Sequence, residues 1–246
     1  MNRRLWEVDM VRGVAIIMVV VYHLVWDLNA FGGWDITMST GFWHYFQRVT
    51  ASTFVLLVGV SMTLSYRKAS PLTKSLYPRY LKRGLKLLAA GAAISAITWL
   101  FLGQGYVQFG ILHFIGISVM IAYPFLRFRF TNLGLGLILL IAGRYINTII
   151  VPHGWLIWLG LQPEGYYAVD YFPLIPWFGL VLIGIFLGNW LYGSHRASYL
   201  PDASHLAPVS FLSRLGQHTL PIYLLHQPIL LVLLVISGVA DIGTML

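Results

Sequence analysis

The chain has 246 residues, 58% of them hydrophobic and only 10% charged, with a mean hydropathy of +0.76. Soluble domains carry about a quarter charged residues, so this composition excludes an ordinary soluble fold and points to an integral membrane protein. The net charge of +8 is no pointer to nucleic acid in such a chain, and the absence of cysteine excludes disulfides, a thiolate nucleophile and cysteine-ligated zinc or iron–sulfur clusters.

The first stretch, RRLWEVDMVRGVAIIMVVVYHLVWD from Arg3 to Asp27, is an apolar segment with polar residues at helical spacing. Asp9, Arg12, His23 and Asp27, with Ile16 and Val20 between them, fall on one face of a helix with 3.6 residues per turn. Charged groups in a bilayer core cost several kcal/mol, so that face is expected to look into a protein interior or a wet cavity. The segment has no small-x-small cleavage pattern and leads into Phe31-Gly32-Gly33-Trp34, so it is expected to remain as a helix rather than to be removed as a signal peptide.

A window of about 19 residues finds about seven hydrophobic stretches near the length that crosses a ~30 Å hydrocarbon core, at 10–29, 43–66, 84–102, 107–126, 132–151, 173–193 and 217–238. The expected fold class is therefore all-α: a polytopic transmembrane helix bundle, one domain over 1–246. Between these stretches the basic residues alternate. Arg3, Arg4 and Arg12, then Arg67, Lys68, Lys74, Arg79, Lys82, Arg83 and Lys86, then Arg127 and Arg129, then Arg196 and Arg214 fall on one side, which accounts for 14 of the 16 basic residues. The positive-inside rule places that side, and the N-terminus, in the cytoplasm and the C-terminus outside. Arg48 and Arg144 break the pattern by lying within membrane segments, where they need partners such as Asp27, Asp35, Glu164 or Asp170.

The loop from Pro152 to Phe172 holds Trp155-Leu156-Ile157-Trp158-Leu159, too brief to span and suited to the membrane interface, where tryptophan is favoured. It is expected to act as a lid. The linker from Arg67 to Lys86 carries seven basic residues and is broken by Pro71 and Pro78. Such a run serves as a lipid-facing topogenic signal, or as a surface for the phosphates of a cytoplasmic cofactor.

His23 and Asp27 stand at i, i+4, close enough for the carboxylate to accept one ring N–H, which is the layout of a general base and its orienter. A packing hydrogen bond between helices accounts for the same residues. His226, in LGQHTLPIYLLHQPILL with Thr219, Tyr223 and Gln227, forms a second polar stripe, and Pro228 is expected to kink the helix beside it. His113, in FGILHFIG, has no local partner. There is no glycine-rich phosphate loop, no His-Glu-x-x-His and no Gly-x-Ser-x-Gly.

Taken in order, RLWEVDMVRGVAIIMVVVYH, TFVLLVGVSMTLS, GILHFIGIS, DYFPLIPWFGLVLIGIFLG and LGQHTLPIYLLHQPILL resemble the blocks of bacterial proteins grouped with the heparan-alpha-glucosaminide N-acetyltransferase catalytic domain, a family of transmembrane acyltransferases. The resemblance runs from Arg4 to Leu231. It implies transfer of an acyl group, typically acetyl from cytosolic acetyl-CoA, to a sugar across the membrane, in the plasma membrane of a bacterium or archaeon. The family's catalytic histidine follows the first helix, where this chain has Trp34 and no histidine before His44, so that residue is not carried over.

Together these readings predict a membrane acyltransferase with acyl-CoA as co-substrate, a saccharide or glycoconjugate acceptor and membrane lipid around it, and no nucleic acid partner. A homodimer is one assembly open to it. The nucleotide is expected near Arg12, Arg79, Lys82 and Arg83. His23 is expected to act as base, held by Asp27, with Arg144, His113 or His226 at the oxyanion. No metal is expected. Two alternatives stay open on sequence alone: a small proton-coupled transporter using the same buried groups, and a metal site built from His23, Asp27, His113 and His226.

Overall fold

The structure, a computed structural model, describes residues 5–69, 75–193 and 200–240. Arg3, Arg4, Pro71, Lys74 and Arg196 of the charge pattern lie outside them. Among the described residues the elements are α1 (Trp6–Phe31), α2 (Gly41–Ala69), α3 (Tyr77–Leu102), α4 (Ile111–Ile121), α5 (Phe130–Ile146), α6 (Leu174–Leu191), α7 (Ala207–Gln217) and α8 (Thr219–Ile236), with short 3-10 turns at Tyr123–Arg127 and Gly154–Leu156. The expected all-α class holds. Five helices, α1, α2, α3, α6 and α8, are long and apolar enough to cross a membrane. The stretches expected at 107–126 and 132–151 form the shorter α4 and α5, of 11 and 17 residues.

Local chemistry sets the helix ends. Glu7 and Asp9 stand in the first turn of α1, where the helix dipole favours acidic groups. Pro78 opens α3 and Pro208 opens α7, where a missing N–H costs nothing. Gly103 closes α3 with φ +60°, a left-handed conformation that favours glycine. Pro124 lies in the 3-10 turn that follows α4. Pro228 does not end α8, which continues to Ile236.

The chain groups into two compact units, Met1–Phe54 with Arg196–Leu246, and Val55–His195. In the first, α1 crosses α7 at two glycines. A Cβ on Gly216 would sit 1.7 Å from the Asp9 carbonyl oxygen, and one on Gly13 would sit 2.0 Å from that of Leu212. The Ser213 hydroxyl donates to the Trp6 carbonyl at this crossing. Helix α8 runs in the same direction as α1, because His23 meets His226, Asp27 meets Gln227 and Gly32 meets Val239 in rising order.

In the second unit, α2 and α6 also run in the same direction. Gly59 lies against Val181, Thr63 donates to Ile185, and Arg67 donates to Asn189. Helices α3 and α4 are antiparallel, with Gly84 against Gly116 and Gly91 against His113; α5 and α6 are antiparallel, with Gly136 against Gly179 and Gly143 against Pro176. Small residues let these backbones approach where lipid supplies no hydrophobic drive. The loop from 152 to 172 is stitched to the α3–α4 connection by Val169 N–H to Gly105 O (2.9 Å) and Phe172 N–H to Phe109 O (3.0 Å). Trp155 and Trp158 are exposed on it.

Candidate active site

The polar stripe of α1 turns inward within the first unit. Asp9, Ile16 and Asp27 are buried, while Val11, Val14, Ile17, Val21 and Leu24 on the remaining faces are exposed. That distribution is the one expected of a helix whose apolar surface meets hydrocarbon and whose ionisable edge meets protein. Near the start of the stripe, the Arg12 guanidinium donates to the Asp9 carboxylate at 2.7 Å.

At the far end of the stripe, α8 supplies the partners. The ring of His226 lies 4.8 Å from that of His23, edge to face at 69°. Gln227 donates its amide N–H to Asp27 Oδ1 at 2.7 Å, leaving Oδ2 buried without a partner among the described residues. This corrects the expected arrangement, in which Asp27 held His23. The i, i+4 spacing does put the two on one face, but the carboxylate is taken by a neighbour from the facing helix, and the imidazole of His23 meets an imidazole instead.

The tautomer of His226 follows from its surroundings. Its Nδ1 lies 2.6 Å from the Tyr223 carbonyl oxygen, which only accepts, so Nδ1 carries the proton and donates. In the neutral ring the lone pair is then on Nε2. That atom is buried and has no partner among the described residues. A histidine whose one nitrogen is tied to a carbonyl, and whose other is an unoccupied acceptor, is arranged as a base.

A groove of about 330 Å³ opens beside it. Val20 of α1 lines one part, and Pro221, Ile222, Leu225, His226, Ile229 and Leu230 of α8 line the rest, so among the described residues His226 brings the one ionisable side chain to an apolar wall.

The remaining expected site residues lie in the second unit. The ring of His113 stacks on Phe109 at 5.8 Å and rests against Gly91, where a Cβ would come within 3.0 Å of it. Its Nδ1 is buried without a partner among the described residues. Arg79, Lys82 and Arg83 stand exposed on the first turns of α3, at spacings that share one face. Arg144 is exposed in the last turn of α5, and in the first unit Arg48 is exposed on α2. Neither makes a hydrogen bond or ion pair among the described residues. Two of the carboxylates expected to pair with them are engaged elsewhere, Asp27 with Gln227 and Asp170 with the Ile111 N–H at 3.0 Å.

Asp170 is a residue whose part the sequence did not reveal. It caps the first turn of α4, the turn that also carries His113, and fits there because its neighbour Gly110 has no side chain: a Cβ would fall 2.1 Å from Asp170 Oδ2. Removal from water pushes its carboxyl up to about 6, against the opposing pull of the Ile111 N–H. The same desolvation raises the phenols of Tyr166 and Tyr171 above their ordinary range.

Among the described residues no three histidine, aspartate or glutamate side chains gather as metal ligands would. His23, Asp27 and His226 come together; His113 belongs to the other unit. Gln227 was visible only as a neighbour of His226. The signal for its role was the match of two polar pairs, His23 with Asp27 and His226 with Gln227, at like depth in two apolar helices.

A family model described as "Heparan-alpha-glucosaminide N-acetyltransferase, catalytic" matches residues 4–228. No curated protein and no solved structure matches the chain.

Proposed function

Since the chain belongs to the heparan-alpha-glucosaminide N-acetyltransferase catalytic family, we propose that it moves an acyl group, acetyl in the first instance, from cytosolic acyl-CoA to a sugar or related hydroxyl or amine acceptor at the outer side of a plasma membrane. The observation that carries this reading is the buried Nε2 of His226, an acceptor atom without a partner among the described residues, beside His23.

In this reading Nε2 removes the proton from the acceptor as its oxygen or nitrogen attacks the thioester carbonyl. The new carbon–oxygen or carbon–nitrogen bond forms, the carbon–sulfur bond breaks, and the proton held on His226 passes to the departing thiolate. His23, whose ring nitrogens make no hydrogen bond among the described residues, donates an N–H to the developing oxyanion. Asp27 acts as a positioning residue: through Gln227 it fixes the register in which α1 presents His23 to α8. Within the second unit, the basic face of Arg79, Lys82 and Arg83 suits phosphate groups; Arg12, tied to Asp9, supports a buried carboxylate within α1.

The helix directions support the expected topology. Parallel α1 and α8, parallel α2 and α6, and antiparallel α3–α4 and α5–α6 are the relations that alternate crossing of about seven segments requires. His226→Ala and His23→Ala are each expected to lower transfer by about 100-fold or more, with insertion and melting unchanged. Wild-type rates in His226→Ala reject the base assignment. A proton-coupled carrier would draw on the same buried groups, and thermal stabilisation of the purified protein by acetyl-CoA separates the two readings.

A further inference from the structure

We propose that Asp27 carries a proton and closes with Gln227 a ring of two hydrogen bonds, an acid–amide pair that makes the contact of α1 with α8 a proton-binding site. The pair holds whatever reaction the two histidines beside it serve.

The contact leaves one atom over on each side. Asp27 is 0% exposed, and its Oδ1 accepts the Gln227 amide N–H at 2.7 Å. Asp27 Oδ2 and Gln227 Oε1 are both buried and have no partner among the described residues. With the carboxyl ionised both atoms are acceptors, so neither can satisfy the other. One proton on Oδ2 changes that. The acid becomes a donor, Oε1 is its acceptor, and no buried polar atom of the pair is left over. A carboxyl and a carboxamide are flat forks of the same span, so once the Gln227 N–H meets Oδ1 a shared plane brings Oε1 to Oδ2.

Charge argues the same way. An ionised carboxylate in an apolar span needs a cation or several donors, and Asp27 has one amide N–H. Arg12 is tied to Asp9, about 22 Å back along α1, and Arg214 of α7 stands at that same end, next to the Ser213 that donates to Trp6. His44 and Arg48 of α2 make no hydrogen bond or ion pair among the described residues. His23, one turn before Asp27, and His226, next to Gln227, face each other with their rings 4.8 Å apart. A proton removes the charge that none of these groups offsets. The closed ring then latches α1 to α8 at the depth where His23 meets His226, whereas ionisation would set two acceptors against each other and draw water into the contact.

The test is infrared difference spectroscopy on the full chain in nanodiscs at neutral pH. The wild type minus Asp27→Asn is expected to show the carbonyl stretch of one protonated carboxyl. Asp27→Asn keeps the shape of the ring, with an amide N–H in place of the acid proton, and its melting is followed to check that both proteins are folded. Asp170, the other desolvated carboxyl, is common to both and cancels. Gln227→Met keeps the length of the side chain and removes its amide, so the band is expected to move to higher frequency as the carbonyl loses the N–H. Carboxylate bands in place of the carbonyl stretch would overturn the inference, as would a band that Gln227→Met leaves at its wild-type frequency. The Asp27→Asn comparison can overturn it alone, whether or not Gln227→Met folds.

Discussion

Asp170 joins the outer loop to the start of α4 through one carboxylate, and burial makes that carboxylate sensitive to pH. Its carboxyl is pushed up to about 6 by desolvation, above the usual carboxylate value of about 4. The folded state then holds the proton more tightly than the unfolded one, so the contribution to stability is fully present below about pH 4 and is lost as pH rises through about 6. Asp170→Asn keeps a carbonyl acceptor for the Ile111 N–H and has nothing to ionise. The melting temperature of the variant minus that of the wild type should therefore rise between pH 4 and pH 7. A flat difference would show that Asp170 is not desolvated. Nothing in the sequence near Asp170 announces this role, because Gly110 and Ile111 lie about sixty positions away. The inward stripe of α1, by contrast, could be read from spacing, since 3.6 residues per turn sorts Asp9, Arg12, His23 and Asp27 onto one face whatever lies opposite. What lies opposite could not. A hydrogen bond from Gln227 to Asp27, two hundred positions away, depends on which helices adjoin, and the tautomer of His226 depends on where the Tyr223 carbonyl points.

At the scale of elements, hydrophobic length found α1, α2, α3, α6 and α8, since so long an apolar run is seldom anything but a membrane span. It overextended α4, whose expected end at 126 takes in the 3-10 turn containing Pro124. It missed α7 altogether. That helix has 11 residues and carries Ser210, Ser213 and Arg214, and it abuts the hydrophobic run of α8, so a wide window blends the two. Yet α7 is what α1 packs on. Gly216→Ala places a methyl group where the Asp9 carbonyl oxygen lies 1.7 Å away, a backbone atom that cannot turn aside. The helices must separate, at a cost of about 1–3 kcal/mol, read as a lower melting temperature. Gly134→Ala in α5, where a Cβ meets nothing within 4 Å, should leave melting unchanged or raise it slightly.

For the molecule as a whole, the charge map gives a topology that can be checked without any assay of chemistry. A reporter active only in the cytoplasm should respond when fused at the N-terminus and stay silent after residue 240, and the reverse result would invert the orientation. Chain order also bears on when each unit forms. The first takes α1 from the start of the chain and α7 and α8 from its end, while the second is built from one unbroken stretch. Domains generally fold as units during synthesis, earliest sequence first. The continuous unit can therefore mature on the ribosome while the helix bearing His23 waits for its mate. His23 and His226 meet only once α8 has been made, so a chain cut before α8 inserts its earlier helices with the two imidazoles never brought face to face.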